Sequence, residues 1–425
     1  MLRIVVTSVA LVVALPLYAQ SSMDSSMQMD MNMGGPTQTL SENILRHSAS
    51  GTDVEPDSTS PPMLMKMHRD WMFMLHGQAS IVEQQQTGPR GHDKFYSANW
   101  IMPMAQRSFG ANEITLRTML SLEPATISGR YYPELFQQGE TAFGRPIVDG
   151  QHPHNLFMEI AALYDHKLGK QALLSLYAAP VGDPALGPVA FPHRASAAEN
   201  PLAPLGHHLE DSTHIADEVL TAGFTLHKVH LEASGFHGRE PDENRWHIEI
   251  GGLDSWSARL TVAPTRDWVG QYSVGHLHSP EALHPTEDVL RQTASITYHH
   301  AWQAAQLDAL ALWGRNHTIA SAENANGFLF EGTAHLHDRH AIWTRIENVD
   351  RTTDLLGSSA PPEESVVGRV QAYTGGYAHH LYSNAWSVAE LGAQGTVYAT
   401  PAPLRPLYGD HPGGVALVLN LHLGH

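Results

Sequence analysis

From residue 70 onward the sequence alternates between apolar and polar side chains. In the final stretch, 414–423, Val415, Leu417, Leu419, Leu421 and Leu423 take every second position, and Ala416, Val418, Asn420 and His422 fall between them. Side chains of an extended strand point to opposite faces with period two, so this stretch builds one greasy face and one that turns polar toward its end. Residues 293–298 repeat the pattern, with Thr293, Ser295 and Thr297 opposed to Ala294, Ile296 and Tyr298. After residues 4–17 no apolar run reaches the roughly 20 residues that a membrane-crossing helix needs. Such a chain forms either a soluble β-sandwich or a barrel whose apolar face meets lipid.

The spacing of the alternating stretches decides between them. Sixteen candidate strands lie near 70–82, 94–106, 112–123, 155–166, 171–180, 215–226, 229–237, 255–263, 268–277, 290–300, 304–314, 327–337, 340–349, 366–379, 383–397 and 413–423. Short connections such as 107–111, 166–170 and 227–228 alternate with long ones such as 124–154, 181–214 and 238–254. Short turns at one end and long loops at the other belong to membrane barrels. The expected fold is therefore all-β: a transmembrane antiparallel β-barrel of about 16 strands, with 14 or 18 compatible with the same pattern. The faces opposite the apolar ones carry His230, Glu232, Arg259, Glu331 and His335. Charges recurring on an inner face predict a wet lumen, since a charge in a dry interior is costly.

The chain is expected to divide into three parts. Residues 1–19 read as a secretory signal, with Arg3, an apolar run and Ala19 at the cut, which sends the chain to the cell outer membrane. Residues 20–69 are rich in Met, Ser and Asp, without periodicity, and predict a flexible, disordered tail on the periplasmic side. Residues 70–425 are the barrel. The formal charge of −18 excludes nucleic acid as a partner and favours cations. The complete lack of cysteine suits an oxidising compartment.

With its strands and loops on the page, the stretch 70–425 resembles a bacterial outer-membrane β-barrel of the porin-like kind, and it departs from that pattern in ending Leu423-Gly424-His425 without an aromatic residue. The Met-rich tail is similar in composition to the tails of outer-membrane copper-resistance proteins, over residues 23–33 and 63–68. The resemblances imply outer-membrane lipid, the barrel-assembly machinery and a periplasmic metal carrier as partners.

Two groups of residues are candidates for metal chemistry. Met23, Met27, Met29, Met31, Met33, Met63, Met65 and Met67, with His68, offer soft thioethers that suit Cu(I) in the tail. Met72, Met74, Met102 and Met104 are expected to be strand packing. In the long loops, His152 and His154 form a His-Pro-His motif, and His207, His208, Glu210, Asp211 and His214 fall within eight residues. Imidazole with carboxylate suits a borderline divalent ion such as Zn(II), Ni(II) or Cu(II). Histidines at the short turns, among them His166, His299, His300, His340, His379 and His380, are expected to ring the periplasmic mouth. No G-x-S-x-G or H-E-x-x-H occurs, so no catalytic residue is assigned and the chain is not expected to be an enzyme. The expected function is a channel or metal-handling barrel; the alternatives are a general-diffusion porin and a barrel hydrolase with dispersed catalytic residues.

Overall fold

A computed structural model of the chain describes residues 39–337, 339–359 and 365–424. Nineteen strands follow one another in this part. They are β1 (Leu64–His68), β2 (Trp71–Gln86), β3 (Lys94–Phe109), β4 (Asn112–Leu120), β5 (Tyr132–Ala142), β6 (Arg145–Gln151) and β7 (Phe157–Lys167). Next come β8 (Ala172–Gly182), β9 (Ala216–Leu226), β10 (Val229–His237), β11 (Ser255–Thr265), β12 (Trp268–Leu277) and β13 (Val289–Ala301). The last are β14 (Ala305–Thr318), β15 (Asn324–Leu336), β16 (His340–Thr352), β17 (Val366–Ser383), β18 (Ser387–Ala399) and β19 (Gly413–Leu423).

Sixteen of these, β2–β4 and β7–β19, form one antiparallel ring in chain order, closed where β19 pairs with β2 through Val418↔Val82 and Leu421↔Ala79. The ring is the expected 16-stranded barrel. Closure leaves no unpaired strand edge, which lipid would not tolerate. Two-residue turns such as Gly110-Ala111 and His227-Lys228 close hairpins at one end, and their first residues take φ of 64° and 56°. Positive φ there matches the twist of the flanking strands. The long loops gather at the other end.

The alternation divides outside from inside as expected. On β19, Val415 and Leu417 are 59% and 60% exposed, whereas Ala416, Val418 and Asn420 are buried. Phe73, Leu174, Phe224, Ile296, Phe330, Ile346 and Tyr373 continue the apolar outer belt around the ring. Trp268, Tyr272 and Phe328 are exposed on it, and the Trp268 and Tyr298 rings lie 4.5 Å apart.

The interior departs from the expectation of a wet lumen. Inward charges are present, but they meet protein. The expected tail 20–69 divides: residues 20–38 lie outside the described residues, whereas 39–63 run through the lumen and 64–68 form β1. Arg117 on β4 donates to the carbonyls of His47, Ala49 and Gly51 and pairs with Glu159 at 2.6 Å. Arg259 on β11 pairs with Asp53 and Glu232, and His47 lies 2.9 Å from Asp165. A segment without periodicity reads as a tail, yet the carbonyls of residues 47–51 and the side chains of His47 and Asp53 are met by charges on distant strands. Beside it, the loop 183–215 and the hairpin β5–β6 fold inward and fill much of the remaining lumen. Strand β1 pairs with the start of β2, from Leu64↔Leu75 to His68↔Trp71, beyond the point where β19 ends its own pairing.

Candidate metal centre

The loop 183–215 is pinned to the barrel wall by its own polar backbone. Arg291 donates to the His208 carbonyl at 2.7 Å and to Ser212 Oγ at 2.8 Å. Arg345 donates to the Leu202 carbonyl at 2.7 Å, and Glu347 accepts from the Leu205 amide. Arg194, in the loop itself, pairs with Asp211 and with Glu331 at 3.0 Å on β15. Buried carboxylates and guanidiniums are costly singly and tolerable as hydrogen-bonded networks, and each of these is in one.

So held, residues 207–214 turn three imidazoles into a common space. The helical turn His207–Glu210 carries His207 and His208, whose ring centroids lie 5.0 Å apart. The turn Ser212–His214 brings His214 to 5.3 Å from His207. From β6 and the residues after it come His152, 5.5 Å from His208, and His154, 5.3 Å from His214. Gly139 on β5 lets that strand pass over His208: its φ is 125°, and a Cβ there would meet the imidazole at 2.5 Å. The expected ligands His152, His154, His207, His208 and His214 are thus brought together from two loops.

The hydrogen bonds of these rings sort their two nitrogens. His207 Nδ1 faces Asp211 Oδ1 at 2.7 Å, and His214 Nδ1 faces the Asp211 carbonyl at 2.8 Å. His208 Nδ1 faces Glu240 Oε1 at 3.3 Å, and His152 Nδ1 the Pro153 carbonyl at 3.1 Å. A neutral ring that donates from Nδ1 presents a lone pair on Nε2. The Nε2 atoms of His207, His208 and His214 are buried without a hydrogen-bond partner. His152 Nε2 lies 2.9 Å from Glu140 Oε1, and Arg245 pairs with the same carboxylate. One ligand atom from each of His152, His207 and His208 falls within 4.8 Å of the others. Fixing Nδ1 on a carboxylate or carbonyl is how proteins orient imidazoles around a metal.

Burial also sets the protonation. It holds His207 well below the ordinary histidine value, more than offsetting Asp211, and it lowers His214 to about 4 with the help of nearby His154. Burial opposes ionisation of Asp211, but Arg194 and His207 outweigh it and hold the carboxyl well below its usual range. His207 and His214 are therefore neutral imidazoles backed by an ionised carboxylate, the protonation a divalent ion requires.

Not every expected ligand joins. Glu210 turns away toward Gly206 and Gly327, both carboxyl oxygens lack partners, and burial with Asp211 nearby raises it well above the carboxylate range. It is a buried protonated acid, not a ligand of this cluster. Asp211 orients His207 instead of facing the shared space. Met23, Met27, Met29, Met31 and Met33 lie outside the described residues. Met65 and Met67 are exposed on β1 opposite Met74 and Met72, and His68 points to the other face of that strand. Glu140 and Glu240 were not legible as partners, because only the folding of two further loops brings them near. Of the turn histidines, His299 points inward and bonds Asp308 at 2.6 Å.

No protein-family profile and no curated protein sequence matches the chain. Solved structures do. The anion-selective porin from Comamonas acidovorans superposes with a TM-score of 0.51 at 8% identity, covering 83% of this chain and 99% of the porin. OmpF of Salmonella typhi, solved as a complex with daunomycin, gives 0.50 at 8% identity, covering 84% and 100%. The chain thus has the closed 16-stranded fold of bacterial outer-membrane porins.

Proposed function

We propose that this chain is an outer-membrane barrel that handles a transition metal, with His152, His207 and His208 holding a borderline divalent ion and His214 and His154 beside them. The observation that carries the reading is the buried, unpartnered Nε2 on His207, His208 and His214, each with its Nδ1 already engaged. Left without a cation, three such atoms cost desolvation with no return. The formal charge of −18 favours cation capture over anion passage. Export by the leader with cleavage after Ala19, residence in the outer membrane and a periplasmic metal carrier as partner belong to the same proposal, as does Cu(I) capture by the Met-rich tail. A general-diffusion role is disfavoured by the segments lodged in the lumen.

The test is a Cu(II) titration of the full-length protein in detergent, read by electron paramagnetic resonance. One nitrogen-rich site is expected in the wild type and its loss in His207→Ala/His208→Ala. An unchanged spectrum in that variant, or none in the wild type, sinks the reading. A channel that conducts in large, metal-insensitive steps would point to a diffusion porin.

A further inference from the structure

The methionines expected to be strand packing face the lumen. Met72, Met74, Met102, Met104, Met119 and Met158 are all buried and pack as one cluster with Trp100. The register makes part of it a row: His76 on β2 is paired with Met102 on β3. Ile101↔Leu120 and Met104↔Arg117 bring Met102 level with Met119 on β4. From the loop 183–215, His193 reaches down onto this row, its Nε2 2.8 Å from Met119 Sδ. Two imidazoles and two thioethers from four elements therefore converge.

Apolar packing alone leaves two facts unexplained. The Nδ1 atoms of His76 and His193 are buried and have no hydrogen-bond partner. A neutral imidazole carries one N–H and one lone pair, and both tautomers of His193 meet the same difficulty. If His193 donates from Nε2 to the sulfur, the lone pair on Nδ1 is stranded. If it donates from Nδ1, two lone pairs face each other across the Nε2–sulfur contact. A soft cation between nitrogen and sulfur resolves the second case, and thioether with neutral imidazole is the donor set such ions prefer.

There is also a way in. A cavity of about 280 Å³ is lined by His76, Trp100 and His193 at one end. At the other it reaches His335, His340 and His380, near the short turns. On the same face of β1 and β2, Met67 and Met65 stand opposite Met72 and Met74, so sulfurs continue from the exposed mouth to the buried row. The geometry points to a second metal site, formed by His76, Met102, Met119 and His193, that takes a soft monovalent ion, Cu(I) or Ag(I). It is separate from the histidine cluster in place and in donor chemistry.

Trp100 reports on it. Its ring lies 4.7 Å from His76 and 4.3 Å from His193, and residues 20–67 contain no tryptophan. Full-length protein is titrated with Ag(I), and the Trp100 signal is isolated by subtracting a Trp100→Phe variant. Saturable quenching is expected in the wild type, shifted at least tenfold to higher Ag(I) in Met102→Leu/Met119→Leu. That double variant conserves volume and apolarity, and Cu(II) binding at His207 and His208 serves as the check that its lumen is intact. Wild-type protein without Trp100 quenching overturns the site. So does a double variant, with Cu(II) binding retained, that is quenched at the same Ag(I) as the wild type, since the sulfurs would then be packing alone.

Discussion

Replacing Asp211 by asparagine exchanges one carboxylate oxygen for an amide and changes which nitrogen of His207 carries its proton. In the wild type, Oδ1 accepts from His207 Nδ1 at 2.7 Å, while Oδ2 accepts from Phe191 N at 3.0 Å and pairs with Arg194. Two of the three partners are obligate donors, so the asparagine oxygen turns to Arg194 and Phe191 and its NH₂ group faces His207. The ring must then accept at Nδ1 and protonate Nε2, the atom offered to the metal. Loss of such an orienting partner typically weakens metal binding about 10–100-fold, or about 1.4–2.7 kcal/mol. Arg194 keeps Glu331 at 3.0 Å and the Val189 carbonyl at 2.7 Å, so the loop should stay seated. The assay is competitive Cu(II) titration of wild type and Asp211→Asn, with nitrogen-15 shifts of His207 reading the tautomer. Glu240→Gln serves as the control: His208 is held at the longer 3.3 Å, and a smaller loss is expected. Equal affinity in wild type and Asp211→Asn, with the tautomer unchanged, would refute the reasoning.

Two further outcomes follow from the fold. Burial, with Asp308 nearby, raises Glu55 to about 8 against the partial offsets of the Ala195 amide and Arg194. Its folded value lies above the unfolded one of about 4.3, so the lodged segment is most stable below that and loses a few kcal/mol as pH rises toward about 8. Protease cleavage within residues 39–62 should therefore increase on going from pH 6 to pH 9 in the wild type and much less in Glu55→Gln; identical profiles would remove Glu55 from the explanation. Leu417, 60% exposed near the middle of β19, faces lipid, so Leu417→Arg should cost about 2–4 kcal/mol in urea unfolding from vesicles. A cost near zero would mean that this face does not meet the bilayer.

What was legible in advance followed period two. The limits expected for β10, β12 and β19 match the observed ones, because clean alternation ends there at a turn. β17 runs on to Ser383, beyond its expected end at 379. That the loop histidines lie together was legible from their spacing alone, since the helical turn His207–Glu210 and the turn after it keep neighbours in sequence near in space. The inward face of β2 was not. Trp71, Phe73 and Leu75 are as apolar as Met72 and Met74, so no polarity marks the lumen side, and only closure of the ring turns Phe73 out and the methionines in. The hairpin β5–β6 and the lodged segment 39–63 were equally hidden. Neither shows a clean period, and each is ordered by groups far away in sequence, Arg117 and Arg259 for the segment and Arg90 and Arg245 for the hairpin.

The hairpin β5–β6 and the loop 183–215 pack Leu135, Phe136, Leu205 and Leu209 on Val349 and Val370 of the wall, whereas residues 47–53 are held mainly by charges, and that difference bears on whether the lumen opens. A buried ion pair adds little net stability over an apolar contact, because desolvation cancels most of its attraction, and water readily takes over its partners once the pair is exposed. A segment fixed by such pairs leaves at lower cost than one fixed by leucines. The pairs also fall into two sets on different parts of the wall. Arg117, Asp165 and Arg259, on β4, β7 and β11, hold residues 47–53. Arg291, Arg345 and Glu331, on β13, β16 and β15, hold the loop 183–215 with the histidine cluster. The two lumen fillers touch through Ser50 with Asp183, at 2.8 Å, and through the Ala195 amide with Glu55, at 3.3 Å. Arg259 also donates to the Gly187 carbonyl of the loop, at 3.3 Å, but release of the first leaves the second its contacts to Arg291, Arg345 and Glu331. It would widen the approach to the methionine row and keep the histidine site assembled, and Glu55, the acid at that junction, is the group whose ionisation favours it.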